Sequence, residues 1–441
     1  MSLEPGAPVS FGSAVRAWLY VGLNSFGGPA GQIAILHREI VERRGWVSER
    51  RFLHALNYCM LLPGPEAKQL ATYLGWLLHG VRGGLVAGLL FILPGVAAIM
   101  ALSVLYAGFR ETAFVAALFY GIKPAVIAVV AVAVVRIGRR ALAGRLELAI
   151  AAGAFVAIYF FDVIFPLIIG TAAVIGLVAG RLRAIDPAAG PNDAAEPLPA
   201  AVRPALLRSG LVLVAGLAAW LVPVGLLLAV LGPADVFSQL AGFFSAAAVV
   251  TFGGAYAVLA FVAQQAVGAF GWLAPGEMLD GLGMAETTPG PLIMVNQFVG
   301  FMGAYRQPGG LDPFVAGAAG GLLVSWVTFV PSFLWIFLGA PYAEYLRGRR
   351  RLASALTAVT AAVVGVILNL AVWFALQTLF AVTGELRIGP LRLHTVELAT
   401  LDVAGLVLAI LAFVALVRLR WPLLLVLALS AAAGFGWYLA L

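Results

Sequence analysis

Cysteine and lysine are nearly missing from this chain, and charge of either sign is thin. A single cysteine, Cys59, excludes an intramolecular disulfide and any multi-cysteine metal cage. The four histidines, His37, His54, His79 and His394, are scattered without metal-ligand spacing, so no metal centre is expected. Only 11% of residues are charged against 63% hydrophobic, and the mean hydropathy of +1.03 is beyond what a soluble domain's surface tolerates. The +7 net charge does not point to nucleic acid, because the basic residues sit in short loops between apolar spans, where membrane topology accounts for them. Residues Met1 to Ser10 carry no basic run leading into a short apolar stretch and cleavage site, so no removable signal is expected.

What is present is a polytopic membrane protein. Uncharged stretches long enough to span a bilayer cover 83–109, 163–180, 209–234, 313–343, 352–384 and 421–441. The chain is also one unit written twice. Ser25-Phe-Gly-Gly28 returns 226 positions later as Thr251-Phe-Gly-Gly254, and at that offset Trp46 meets Trp272 and Pro63-Gly-Pro65 meets Pro289-Gly-Pro291. The repeat preserves helix breakers as well as apolar runs, which is the mark of a secondary transporter rather than of duplication alone. The expected organisation is a first repeat over 1–180, a polar Pro/Ala linker over 181–208, a connecting span over 209–234 and a second repeat over 235–441.

Loop charge sets the expected orientation. Arg38, Arg43, Arg44, Arg50 and Arg51 mark one loop of the first repeat as cytoplasmic, and Arg136, Arg139, Arg140 and Arg145 mark another. The matching loop 269–276 has no basic residue, whereas Arg347, Arg349, Arg350 and Arg351 stand where the first repeat has only Arg110 and Glu111. The asymmetry flips between halves, which predicts two inverted-topology repeats with the N-terminus cytoplasmic and the C-terminus periplasmic. The fold expected is all-α, with short helices over 12–24, 29–43, 49–62 and 66–80 meeting inside the membrane. Each spans about 20–22 Å at 1.5 Å per residue, less than the roughly 30 Å hydrocarbon core.

A helix that begins inside the membrane presents unpaired N–H groups and the positive end of its dipole, which suits an anion. Gly27, Gly28, Gly64, Gly253, Gly254 and Gly290 are therefore candidate contacts, although Gly-Pro also marks loops and close helix packing. Ser25, Gln32, Gln69, Thr251, Thr287, Thr288 and Asn296 crowd the same breaks and can donate to an oxyanion without a buried charge. Glu66 and Glu286 flank the two Pro-Gly-Pro turns and have no acidic counterpart in the other repeat, so they are candidate proton carriers; capping of backbone amides is the plainer alternative. Of 27 basic residues 25 are arginine, and the two lysines, Lys68 and Lys123, both fall outside obvious loops. A buried ammonium attracts an anion without the near-permanent charge of guanidinium, while snorkelling to an interface is the alternative for Lys123.

Phe26-Gly-Gly-Pro29, the stretch Leu61-Leu-Pro-Gly-Pro-Glu-Ala-Lys-Gln-Leu-Ala-Thr-Tyr-Leu-Gly-Trp76 and Thr287-Thr-Pro-Gly-Pro291 resemble the chromate ion transporters in their long, two-domain form. The likeness covers nearly the whole chain. It implies proton-driven efflux of chromate through the bacterial inner membrane, with sulfate as a similar oxyanion; protons and the lipid bilayer are the other partners, and a homodimer is compatible with it. Relatives often carry glutamine where this chain has Lys68. A sulfate or other tetrahedral oxyanion importer or exchanger would share these features. An embedded enzyme would need a nucleophile with a base, a metal cluster or a cofactor motif, and the sequence offers none, so no catalytic residue, metal or cofactor is expected.

Overall fold

The computed structural model describes residues 9–182, 206–252, 254–274, 276–342 and 350–440. Most of the linker expected at 181–208 lies outside the described residues, as do Gly253, Arg347 and Arg349.

The chain opens with α1 (Phe11–Leu23), α2 (Gly28–His37) and α3 (Glu49–Cys59). Then come α4 (Glu66–Phe109), α5 (Ala113–Ala141), α6 (Arg145–Phe161), α7 (Phe165–Leu182) and α8 (Leu206–Leu231). The later part holds α9 (Val236–Val250), α10 (Ala255–Gln264), α11 (Glu277–Thr287), α12 (Val295–Arg306), α13 (Pro313–Gly339) and α14 (Arg350–Leu379). A hairpin of β1 (Thr383–Ile388) and β2 (Leu391–Val396) and the helices α15 (Val403–Val417) and α16 (Leu423–Ala440) close it.

The protein is an all-α polytopic membrane protein, and its elements repeat at the offset the motifs set. Adding 226 to α1 gives 237–249, within α9, and adding it to α2 gives 254–263, against α10. The repeat extends to a detail not expected from sequence. The helix predicted over 29–43 changes at its end to a π-helical turn, Arg38–Arg43, and α10 does the same over Gln265–Ala269. Such turns loosen the i→i+4 ladder and are concentrated at functional regions.

Two helical hairpins follow from glycine. α4 is interrupted at His79 (φ −138°) and Gly80 (φ 62°), so its residues before and after the break are separate helices, in keeping with the short helix expected over 66–80 and the span expected over 83–109. They double back on one another: a Cβ on Gly75 would lie 2.5 Å from the Gly83 carbonyl oxygen. In the second half α12 and α13 do the same, with a Cβ on Gly320 falling 2.5 Å from the Gly300 carbonyl oxygen. Glycine at the crossing lets the backbones approach, which is how helices associate where lipid offers no hydrophobic drive.

The chain divides into two compact units, each drawing on both halves of the sequence. The first holds α1–α3, α4 as far as Ala101, α8, α9, α12 and α13; the second holds α4 from Leu102, α5–α7, α10, α11 and everything from α14 onward. In the first, α13 packs on α8, α9 and α12. The outer face of α8 exposes Leu207, Leu211, Val214, Leu226 and Val230, a surface suited to lipid and untenable in water. In the second, α5 packs on α14, α15 and α16, meeting α16 where Gly121 and Gly434 touch.

The span expected over 352–384 stops at Leu379, because residues from Thr383 pair as an antiparallel ladder from Thr383 with Val396 to Ile388 with Leu391. The alternation Leu386-Arg387-Ile388 and Leu391-Arg392-Leu393, around Gly389 with its φ of 59°, is the local signal for this hairpin. Arg392 anchors it to the α6–α7 turn through Asp162, 3.0 Å away.

Gly75→Val drives a branched side chain into the Gly83 backbone and costs about 1–3 kcal/mol or more by overpacking, so detergent-extracted protein should lose its monodisperse peak. Gly153→Val on α6, where nothing lies within 4 Å, should keep it.

Candidate functional site

Four chain breaks meet within the first unit, and backbone groups tie them together. The Gly64 N–H donates to the Thr251 carbonyl at 2.8 Å, and the Gly290 N–H donates to the Ser25 carbonyl at 2.9 Å. Gly64 and Gly290 are repeat partners, as are Ser25 and Thr251. Each half's Pro-Gly-Pro turn is therefore held by the other half's Phe-Gly-Gly break. The side chains follow the same rule: the Ser25 hydroxyl donates to the Val21 carbonyl at 2.5 Å and the Thr251 hydroxyl to the Ala247 carbonyl at 2.6 Å, again 226 apart.

This interlock sorts the candidate glycines. Gly64 (φ 124°) and Gly290 (φ 104°) are packed: a Cβ on the first would lie 2.9 Å from the Gln69 amide nitrogen, and one on the second 3.3 Å from the Gly95 Cα. Their N–H groups are committed to the interlock. Gly27 (φ 82°), Gly28 (φ 70°) and Gly254 (φ 101°) have nothing within 4 Å of an added Cβ, and Gly27 and Gly28 open α2 with no side-chain cap. These are the glycines with room beside them. Gly253 lies outside the described residues.

The polar side chains are almost fully buried around the same breaks. Gln32 donates to the Gly290 carbonyl at 2.6 Å and Gln69 to the Pro63 carbonyl at 2.8 Å, so both amides brace the turns. The Gln69 and Asn296 side-chain carbonyls are buried without a partner. Thr288 is buried in this unit; Glu66 opens α4 and is half-buried. Sequence reading missed a stripe on α13: Ser325, Thr328 and Ser332 share one face and are buried. The Ser325 hydroxyl reaches Gln297 at 3.1 Å. The signal was a three- and four-residue spacing of hydroxyls within an apolar span.

Lys68 ends that stripe. It is 0% exposed, donates to the Ser332 hydroxyl at 2.7 Å and sits 3.0 Å from the centroid of the Phe333 ring. Among the described residues no carboxylate lies within ion-pair distance of it. A buried ammonium is costly unless neutralised, and a hydroxyl with an aromatic face, worth about 2 kcal/mol when desolvated, leaves it short of a counter-charge. Its repeat partner is Met294, which packs beside Gly95 and Gly290, so the charge stands on one side only of the duplicated frame.

The other candidates lie in the second unit. Thr287 is exposed and donates to the Met284 carbonyl at 2.9 Å. Glu286, 3% exposed, accepts from the Tyr256 hydroxyl at 2.5 Å. Lys123 is compensated: its ammonium stands 3.4 Å from Asp280, which also accepts from the Tyr106 hydroxyl at 2.8 Å. Arg110 pairs with Glu277 one turn away on α11. Asp280 and Glu277 were not expected from sequence. At the repeat offset they correspond to His54 and Arg51 of α3, and this replacement of basic by acidic residues is the signal the sequence carried.

The family described as chromate transporter matches residues 13–177 and 238–435. The chain is 35% identical to a chromate transport protein of Pseudomonas aeruginosa, over 82% of this chain and 80% of that one. It is 29% identical to a probable chromate transport protein of Synechococcus elongatus, over 82% and 84%, and 26% identical to a chromate transport protein of Cupriavidus metallidurans, over 80% of each. No solved structure matches.

The two kinds of glycine separate experimentally. Gly64→Ala strains a left-handed backbone and disturbs the Gln69 brace, so at about 1–2 kcal/mol it should lower the melting temperature of purified protein by about one to two degrees. Gly254→Ala meets only the conformational penalty. An equal loss in both would mean that the interlock does not bear on stability.

Proposed function

From the chain's membership of the chromate transporter family, we propose that it exports chromate from the bacterial cytoplasm across the inner membrane, with protons moving inward. The observation that carries this is Lys68, a buried ammonium without a carboxylate partner among the described residues, set beside the interlocked breaks. A tetrahedral dianion supplies the missing counter-charge. The open backbone at Gly27, Gly28 and Gly254 supplies the further groups that replace its hydration. Because a transporter must release its cargo, one charged side chain and several dipoles suit the task better than a cage of arginines.

Proton coupling is assigned to α11. Glu286 is buried and accepts from the Tyr256 hydroxyl, and a carboxylate at that depth is stable only when neutral or paired. The orientation proposed is the one the arginines suggest, with the two halves inverted and the N-terminus cytoplasmic.

Three measurements test this. Inverted vesicles should accumulate chromate when their lumen is made acidic, and much less without the gradient; a sulfate flux that chromate fails to inhibit would change the cargo. Lys68→Met should weaken apparent chromate affinity at least ten-fold at unchanged protein level, and Lys68→Arg should not restore it, because the fork is wider than the ammonium. Reporter fusions should place Arg44 and Arg139 inside and Gly271 outside; finding Gly271 with Arg44 would leave parallel repeats.

A further inference from the structure

The second unit contains a cavity of about 410 Å³ whose lining includes Arg110, Glu111, Lys123, Asp280 and Asp402. Its charges are unbalanced. Lys123 is matched by Asp280, and Arg110 by Glu277 and Glu111, 3.7 Å away in the latter case. Asp402 then remains, accepting from the Tyr120 hydroxyl at 2.9 Å and capping α15 through the Gly405 N–H. An excess of carboxylate repels a dianion and draws small cations. The cavity is therefore ill suited to the exported oxyanion, which separates the roles of the two lysines.

Asp280 is the group in this cavity built to change state. It is 97% buried, counted from its 3% exposure, yet it lines the cavity. One carboxylate oxygen takes both Lys123 and the Tyr106 hydroxyl, while the other, Oδ1, is buried without a hydrogen-bond partner. Asp280 thus borders the cavity with a carboxylate that keeps one acceptor position vacant. Around it stand Lys123 from α5, Tyr106 from α4, Arg110 from the turn after α4 and Glu277 one turn before it on α11; Glu111, Tyr120, Asp402 and Tyr438 line the same cavity.

We infer that this cavity is a proton-loading site and that Asp280 is its acceptor. A hydronium ion reaching the cavity gives its proton to the Asp280 carboxylate, an O–H bond forms on that carboxylate, and neutral water is left behind. The carboxylate becomes neutral and Lys123 loses its counter-ion, so the local charge rises by one unit and the ion pair between α5 and α11 lets go. Return of the proton to water restores the pair. Lys123 thus positions the acid and sets how firmly it holds its proton, a role different from binding cargo. The inference rests on the reading of proton-coupled export and deepens it: α11 carries Glu286 and, six residues earlier, the acid that faces the cavity.

The test uses the full chain in proteoliposomes, with chromate flux followed together with the internal pH. The quantity read is the ratio of pH-driven chromate accumulation to chromate exchange at equal pH. Asp280→Asn should lower this ratio at least ten-fold, and Asp280→Glu should recover at least a third of it. Because Asn leaves Lys123 unneutralised, the double variant Asp280→Asn with Lys123→Met removes both charges and should show the same loss. A ratio within two-fold of the parent in either variant overturns the inference while leaving coupled export standing. Joint loss of accumulation and exchange in the double variant also overturns it, in favour of a structural ion pair. If the parent protein ignores the pH gradient, or follows a sodium gradient instead, proton coupling falls and the assignment falls with it.

Discussion

Two reciprocal hydrogen bonds, Gly64 to Thr251 and Gly290 to Ser25, are the constraint on which the first unit depends. A helix broken inside hydrocarbon exposes peptide groups that have no water to meet, at roughly 4–8 kcal/mol for an amide moved into an apolar medium. Broken helices are tolerated there only when protein satisfies them. Here the two halves satisfy one another. The bonds also explain why the repeat keeps Pro-Gly-Pro and Phe-Gly-Gly together, since the turn in one half needs the break in the other as its acceptor.

A satisfied frame leaves little over, and what is left over carries the chemistry. The hydroxyls of Ser25 and Thr251 turn back on their own helices, and Gln32 and Gln69 brace the turns. Most of the polar residues around the breaks therefore hold the frame rather than await a ligand. Lys68 differs in kind: its charge is not neutralised by a carboxylate among the described residues, and its repeat partner Met294 carries none. In the second unit the same asymmetry appears with opposite sign, since Glu277 and Asp280 occupy the positions that correspond, 226 residues on, to Arg51 and His54. Duplication built the scaffold, and departures from it introduced charge.

The two lysines make the energetic point. Both are rare cations in an arginine-rich chain, and both sit within apolar helices. Lys123 has an acid 3.4 Å away; Lys68 has a hydroxyl and a ring. An ion pair removes most of the field that would draw an anion, whereas an uncompensated charge keeps it. The same residue type thus serves as a tether in one unit and as an electrostatic attractor in the other.

Membrane character, the duplication and the positions of the breaks were legible in the residues themselves, because hydropathy, helix length and the backbone limits of glycine and proline act locally. The short helices at α1 to α3 and the interruption at His79 and Gly80 fell where those limits put them. The β-hairpin had an alternating pattern too, hidden by the longer apolar run before it. Which glycine amides are spent and which lysine is neutralised were not legible. Their partners lie far along the chain, as Gly64 with Thr251 and Lys123 with Asp280, and spacing carries no record of who neutralises whom. Only packing brings those groups within reach, and only then does Coulomb's law distinguish a tether from a site.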